Sequence, residues 1–375
     1  KDLIKYRVEV LGFKTEFNFT NGVGRKIEQI ENTTELAGYV RYKGSYGKLL
    51  FEPSLRIQYY ASLSEISPEP RLALKYLLAD NIRLKFATGM YSQNLIAANS
   101  DRDVVNLFYG FLSGPDNLPA KFDGKEVTSK LQKATHFILG TEIDINRHLN
   151  VNIEGYLKNF GQLTNLNRNK IYDEATAGYA VPDRLKKDFI IEKGKAYGAD
   201  LALKYEYNKI YFWAVYSLGY VTKTFEDKGG VLYTYRPHYD RRHNVNLILS
   251  YTGGDKKQWE MSARWNFGSG FPFTQVQGNY EYLSFTQGIN YDYTTANGQL
   301  GMIYGELNKG QLPTYHRLDL DAKRRFYFSE HTELELSFSL TNVYNRKNVF
   351  YVDQITNEIL RQLPLMPSLG VTFSF

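Results

Sequence analysis

Thr332-Glu333-Leu334-Glu335-Leu336-Ser337-Phe338-Ser339-Leu340-Thr341 alternates without a break. Leu334, Leu336, Phe338 and Leu340 share one face, and Glu333, Glu335, Ser337, Ser339 and Thr341 share the other. A period of two is the mark of a strand with one apolar and one polar side, not of a helix. The same rule holds on either side of this stretch. Leu318, Leu320 and Ala322 alternate with Arg317, Asp319, Asp321 and Lys323. Trp259, Met261, Ala263, Trp265 and Phe267 alternate with Glu260, Ser262, Arg264 and Asn266, and Val245, Leu247, Leu249 and Tyr251 form a further row. The chain closes on Leu369, Val371, Phe373 and Phe375, set against Ser368, Gly370, Thr372 and Ser374.

Extended along the chain, this reading gives about 14 strands. They fall near residues 8–20, 34–42, 48–61, 71–79, 82–92, 134–145, 149–158, 195–205, 209–221, 243–252, 257–268, 314–325, 332–342 and 367–375. Many approach the roughly 9–11 residues that a tilted strand needs to cross a bilayer, against about 5–6 for a strand of an ordinary globular sheet. The connections alternate between short and long. Asp80-Asn81, Asn146-Arg147-His148 and Gly253-Gly254-Asp255-Lys256 are short, whereas 93–133, 159–194, 222–242, 269–313 and 343–366 are long. Short turns at one end and long loops at the other are the habit of outer-membrane barrels. The charged rows point the same way, because a dry sandwich core could not hold both signs of charge, whereas a wet lumen can. Aromatics near strand ends (Tyr59, Tyr60, Tyr205, Tyr207, Trp259, Trp265, Tyr344) suit membrane interfaces. A soluble antiparallel sheet with its polar face in water is the competing reading. The expected fold is therefore all-β, a transmembrane antiparallel up-and-down β-barrel, with residues 1–375 forming a single β-barrel domain.

Composition sets the outer limits. The 375 residues include no cysteine, 31 tyrosines and 23 phenylalanines, with a mean hydropathy of −0.43 and a formal charge of +6. Disulfide scaffolds, thiol catalysis and cysteine-ligated zinc are excluded. The longest apolar run, Ile210 to Tyr216, is far short of the roughly 20 residues a spanning helix needs. The charge is modest and dispersed, with no recognition module, so nucleic acid is not an expected partner. The six histidines have no metalloprotease spacing, and neither a nucleophile elbow nor a phosphate-binding loop occurs. Gly268-Ser269-Gly270 reads as a strand-to-loop turn, not a phosphate cradle. The expectation is a non-enzyme with no cofactor and no metal.

Several segments, taken in order, resemble the barrel portion of TonB-dependent outer-membrane receptors. They are Glu69-Pro70-Arg71-Leu72, Ala196-Tyr197-Gly198-Ala199-Asp200-Leu201, Arg236-Pro237 through Asp240-Arg241-Arg242-His243, Trp265-Asn266-Phe267-Gly268-Ser269-Gly270-Phe271-Pro272-Phe273-Thr274, Pro313-Thr314-Tyr315-His316-Arg317-Leu318-Asp319, Leu340-Thr341-Asn342-Val343-Tyr344-Asn345-Arg346-Lys347-Asn348 and Pro367-Ser368-Leu369-Gly370. The resemblance implies a bacterial outer-membrane receptor or transporter that binds an extracellular ligand and imports it with TonB-transduced energy. It also implies a 22-stranded barrel with an N-terminal plug and a TonB box. No plug-like segment or box stands within residues 1–375. The chain thus reads as the C-terminal part of such a barrel; a passive outer-membrane channel or a structural barrel of an outer-membrane complex is the alternative. The implied partners are outer-membrane lipid and lipopolysaccharide, the TonB complex through the missing N-terminal part, the barrel assembly machinery and a surface lipoprotein. Arg264, Arg317, Asp319, Asp321, Lys323, Glu333 and Glu335 would face lumen and plug. The terminal row Leu369, Val371, Phe373 and Phe375 would serve as the assembly signal. For ligand contact, two outward loops mix aromatic with polar groups: Tyr233, Tyr235, Arg236 and His238 in one, and Tyr280, Tyr282, Tyr291 and Tyr293 in the other.

Overall fold

The structure is a computed structural model that describes residues 2–20, 26–97, 111–170, 183–227, 229–283, 292, 294–295, 298–329, 331–354, 356 and 358–375. Fourteen strands run in sequence order through one antiparallel sheet. They are β1 (Leu3–Thr20), β2 (Lys26–Tyr46), β3 (Leu49–Tyr60), β4 (Glu65–Ala79), β5 (Ile82–Gln93), β6 (Gln132–Asp144) and β7 (Leu149–Leu166). The second half holds β8 (Phe189–Tyr207), β9 (Ile210–Glu226), β10 (His243–Gly253), β11 (Trp259–Gly268), β12 (Tyr315–Tyr327), β13 (Glu333–Thr341) and β14 (Met366–Ser374). Each strand pairs with the next in the chain, the up-and-down pattern expected from the alternation. Among the described residues β1 and β14 are not paired with each other, so the sheet is an open path with two free edges. No helix among these residues is long and apolar enough to cross a membrane.

Register turns the alternating rows into two surfaces. On one, Phe212, Leu249, Ala263, Leu320 and Leu340 meet across five strands, and Leu201, Tyr216, Val245 and Phe267 form a row two levels farther out. Large apolar side chains on this face stand exposed, Leu139 by 66% and Val371 by 70%. That arrangement suits lipid and would be an aggregation hazard in water. On the other face, Asn246, Asn266 and Arg317 meet, and Arg264 lies opposite Asp319.

The strand expectations hold in number and order but not in length. β2 covers 21 residues where the pattern had marked only 34–42, and β8 begins at Phe189 instead of 195. Most of the added residues lie at the long-loop end. Beyond the bilayer both faces of a strand are wet, so the apolar–polar contrast that marks a strand fades although its hydrogen-bond ladder continues. Tyr60 also departs from expectation. It is buried at 1% exposure and meets the Ser92 hydroxyl at 3.0 Å, so it is no interfacial aromatic. Its register partner is Glu35, on the polar face.

Candidate functional site

The long-loop ends of the strands converge over the polar face. Phe17 and Ile27 at the tips of β1 and β2, Ile96 and Leu112 from the loop after β5, and Leu166 and Phe189 at the tips of β7 and β8 form one buried apolar cluster. Residues distant around the sheet can share a cluster only if the wall curves and its loops fold inward. Segment 111–131 straps this mouth. Ser113 meets the hydroxyls of Thr15 and Thr33 at 3.0 and 2.9 Å, and the Gln29 amide donates to the Gly114 carbonyl at 2.6 Å. Farther along, Lys193 of β8 holds Asp123 at 2.5 Å, and the Asp123 amide donates to Glu226 of β9 at 3.2 Å. The Lys193 bond pulls the Asp123 carboxyl below its ordinary range. Ser129 and the Lys130 amide donate to Glu65 and close the strap.

Beneath the strap lies an ionic cluster built from four strand ends. Glu192 is fully buried and accepts from Arg168 at 2.7 Å and from the Tyr235 hydroxyl at 2.9 Å, while the Lys223 ammonium stands 3.3 Å away. The Arg168 guanidinium lies 4.6 Å from the ring centre of Phe225 and 5.2 Å from that of Tyr235. A carboxylate this deep is tolerable only with such charged and hydrogen-bonding neighbours. Beside it opens a cavity of about 490 Å³ lined in part by Arg168, Phe225, Asp227, Tyr233, Tyr304 and Glu306. Aromatic walls with charged groups of both signs can stack on planar groups and pair with ionic ones.

A second knot braces this region. Asp240 is buried, accepts the Val221 amide at 3.0 Å and binds the Arg236 guanidinium at 2.7 Å. Arg241 lies flat against Phe271 at 4.1 Å and over Gly268, where an added Cβ would sit 2.5 Å from the guanidinium carbon. In Asn342-Val343-Tyr344-Asn345-Arg346, the fully buried Asn342 side chain donates to the carbonyls of Arg346 and Leu363 and accepts the Arg346 amide. These segments, which carry the family resemblance, are turn and loop braces.

The sequence-derived ligand residues divide accordingly. Tyr233 lines the 490 Å³ cavity, and its hydroxyl reaches Glu306 at 3.4 Å. Tyr235 is buried at 4% exposure against Glu192, and Arg236 is tied to Asp240, so both brace the mouth. His238 packs edge-on to Tyr239 and lines a separate cavity of about 190 Å³ with Lys223. Tyr280 stands exposed on the hairpin of Val276–Tyr282 and Gln299–Tyr304, which Tyr282 ends. Tyr291 and Tyr293 lie outside the described residues. Pattern reading missed Glu192, Arg168 and Lys223, which come from two strands and a turn and share no local motif.

On the polar wall, Arg317 and Asp319 pair at 2.8 Å, Ser262 reaches Asp321 at 3.3 Å, and Lys323 lies 3.9 Å from Glu335. Arg325, which continues the same row, binds Glu335 at 2.8 Å. Glu333 faces Tyr327 in register. A second ladder crosses β5 to β7, where Arg83 meets Glu142 and Asp144 at 3.0 and 2.5 Å, and Lys85 meets Glu154 at 3.0 Å. On β14, Leu369, Val371, Phe373 and the final Phe375 are exposed by 55–95% on the apolar face. No group of three or more histidine or carboxylate side chains is placed to hold a metal among the described residues.

No family model matches the sequence, and neither does any curated protein. Solved structures do. The FrpB iron transporter from Neisseria meningitidis superposes with a TM-score of 0.60 at 11% identity, covering 100% of this chain and 52% of its own. The outer-membrane transporter YddB from Escherichia coli gives 0.57 at 12%, covering 100% and 51%. The ferripyoverdine receptor of the outer membrane of Pseudomonas aeruginosa gives 0.55 at 13%, covering 94% and 39%. The fold is that of an outer-membrane receptor barrel. At these identities the likeness is one of fold, and the chain spans about half or less of the length of each of these chains. In barrels of this kind an apolar face meets lipid and a polar face meets the lumen, with long loops outward and short turns on the periplasmic side.

Proposed function

We propose that the chain is the C-terminal part of the barrel of a TonB-dependent receptor in the bacterial outer membrane, which captures an extracellular ligand at the strapped mouth and imports it with TonB-transduced energy. The observation that carries this reading is the pairing of a lipid-facing apolar surface with a charged lumen beneath infolded loops. Ion pairs in a wet lumen are individually weak, so they can hold a plug and still release it. Two free edges in a bilayer leave backbone groups unsatisfied, which favours further strands that close the wall. The cavity at Arg168, Tyr233 and Tyr304 suits a ligand bearing planar and hydrogen-bonding groups, a class that includes chelates such as the ferripyoverdine bound by the Pseudomonas aeruginosa receptor. In planar bilayers the natural full-length protein should conduct little and open on plug removal, and uptake should need TonB and the proton motive force. Steady conductance of the intact protein would instead establish a passive channel. The exposed terminal row suits recognition by the barrel assembly machinery. Deletion of Phe375 should lower the protein's abundance in the outer-membrane fraction, whereas a one-residue deletion in the strap should not.

A further inference from the structure

The lipid face carries one chemical exception. Along its rows in the periplasmic half, the other described strand residues are uncharged and mostly apolar or aromatic, with Tyr205, Tyr207, Tyr251, Trp259, Phe326, Leu334 and Phe373 among them. Arg324 interrupts this run. It sits in register between Trp259 of β11 and Leu336 of β13, so the pleat directs it to lipid. It is exposed, and among the described residues its guanidinium makes no hydrogen bond and no ion pair. Its neighbour Arg325 behaves oppositely, facing the lumen and bound to Glu335 at 2.8 Å.

A lipid-facing arginine is costly unless its charge reaches the interface and finds a partner. Arg324 is three residues from the periplasmic end of β12, about 10 Å along the strand, which places it at the headgroup boundary. Its guanidinium carbon lies 4.6 Å from the ring centres of both Trp259 and Phe326. Two aromatic contacts fix the group without consuming its N–H donors, which remain along its edges for a planar, bidentate anion. The adjoining turn adds Lys256 and Lys257 against the single carboxylate of Asp255. The local charge is therefore positive, at the level where phospholipid phosphates lie.

We propose that Arg324, held by Trp259 and Phe326, is a binding site for the phosphate of an anionic phospholipid in the periplasmic leaflet. Phosphate supplies the oxygens the guanidinium lacks, the acyl chains cover the apolar rows above it, and the lysines of the turn select for net negative charge. The contact would pin the vertical position of the paired strands β11 and β12 in the membrane.

The test is native mass spectrometry of the full chain from nanodiscs containing equal phosphatidylglycerol and phosphatidylcholine. The wild type should retain phosphatidylglycerol preferentially. Arg324→Gln should lower that preference about fivefold, the factor equivalent to about 1 kcal/mol per basic residue at an anionic surface. Trp259→Leu, which keeps the lipid face apolar, should lower it in part. Arg325→Gln, on the lumen side, should leave it unchanged. Heat-modifiable migration in gels would verify that each variant is folded. Equal retention by wild type and Arg324→Gln would overturn the proposal. So would loss of retained lipid on adding millimolar inorganic phosphate, which would make the site one for free phosphate.

Discussion

At the scale of single residues, the outward mouth depends on a few buried polar side chains whose partners come from distant strands. Glu192 is the clearest. Arg168, Lys223, Tyr235 and Asn165 all approach its carboxylate, and none of its surface reaches water. Glu192→Gln keeps the shape but removes the charge that offsets two largely enclosed cations. Breaking a buried ionic group in this way costs about 3–5 kcal/mol. The loss should appear locally, as faster amide hydrogen exchange at 163–170, 189–194 and 222–226, while the barrel wall at β11 to β13 keeps its protection. Uniform protection in the variant would mean that the cluster does not hold the mouth together.

Single strands and loops obey simpler rules, and here the sequence is most readable. The pleat places Leu336 on the apolar face and Ser337 on the polar one, opposite Gly370. Leu336→Arg should therefore reduce refolding yield in liposomes far more than Ser337→Arg, since an arginine facing lipid near the midplane costs about 2–4 kcal/mol. Equal yields would reverse the assignment of faces. The strap answers to pH. The Lys193 bond depresses the Asp123 carboxyl, so this contact stabilises the strap above the ordinary value of 3.8 and is lost as pH falls through the lower folded value. Hydrogen exchange of 120–127, corrected for intrinsic rates, should rise between pH 5 and pH 3. In Asp123→Asn that acid-dependent rise should disappear. All fourteen strands of the wall could be read from alternation, because one lipid-facing row forces a period of two on every crossing segment. Their outward extensions could not, since Lys26 to Thr34 carries polar groups on both faces. Nor could the strap or the Glu192 cluster. Those contacts join residues separated by up to 103 positions, as in Asp123 with Glu226, and a one-dimensional pattern holds no record of them.

At the scale of the whole molecule, the open sheet is the decisive feature. Fourteen strands can close on themselves into a narrow channel or form part of a wider wall, and the two differ in what meets the edges of β1 and β14. In a closed barrel of fourteen, Tyr6 and Val8 at the periplasmic end of β1 would lie beside Val371 and Phe373 of β14. In a larger barrel other strands would intervene. The absence of cysteine from these 375 residues makes the question accessible to disulfide trapping between introduced cysteines. Cysteines at Leu334 and Phe373, which are register partners on β13 and β14, provide the positive control. A bridge requires Cα atoms within about 7 Å, so it reports adjacency directly. In outer membranes bearing the natural protein, the control pair should oxidise readily. Pairs joining position 6 or 8 to position 371 or 373 should not. Efficient bridging of any such pair would make the wall a closed barrel of fourteen strands, too narrow for the plug that active import requires. The receptor reading would then give way to the passive channel.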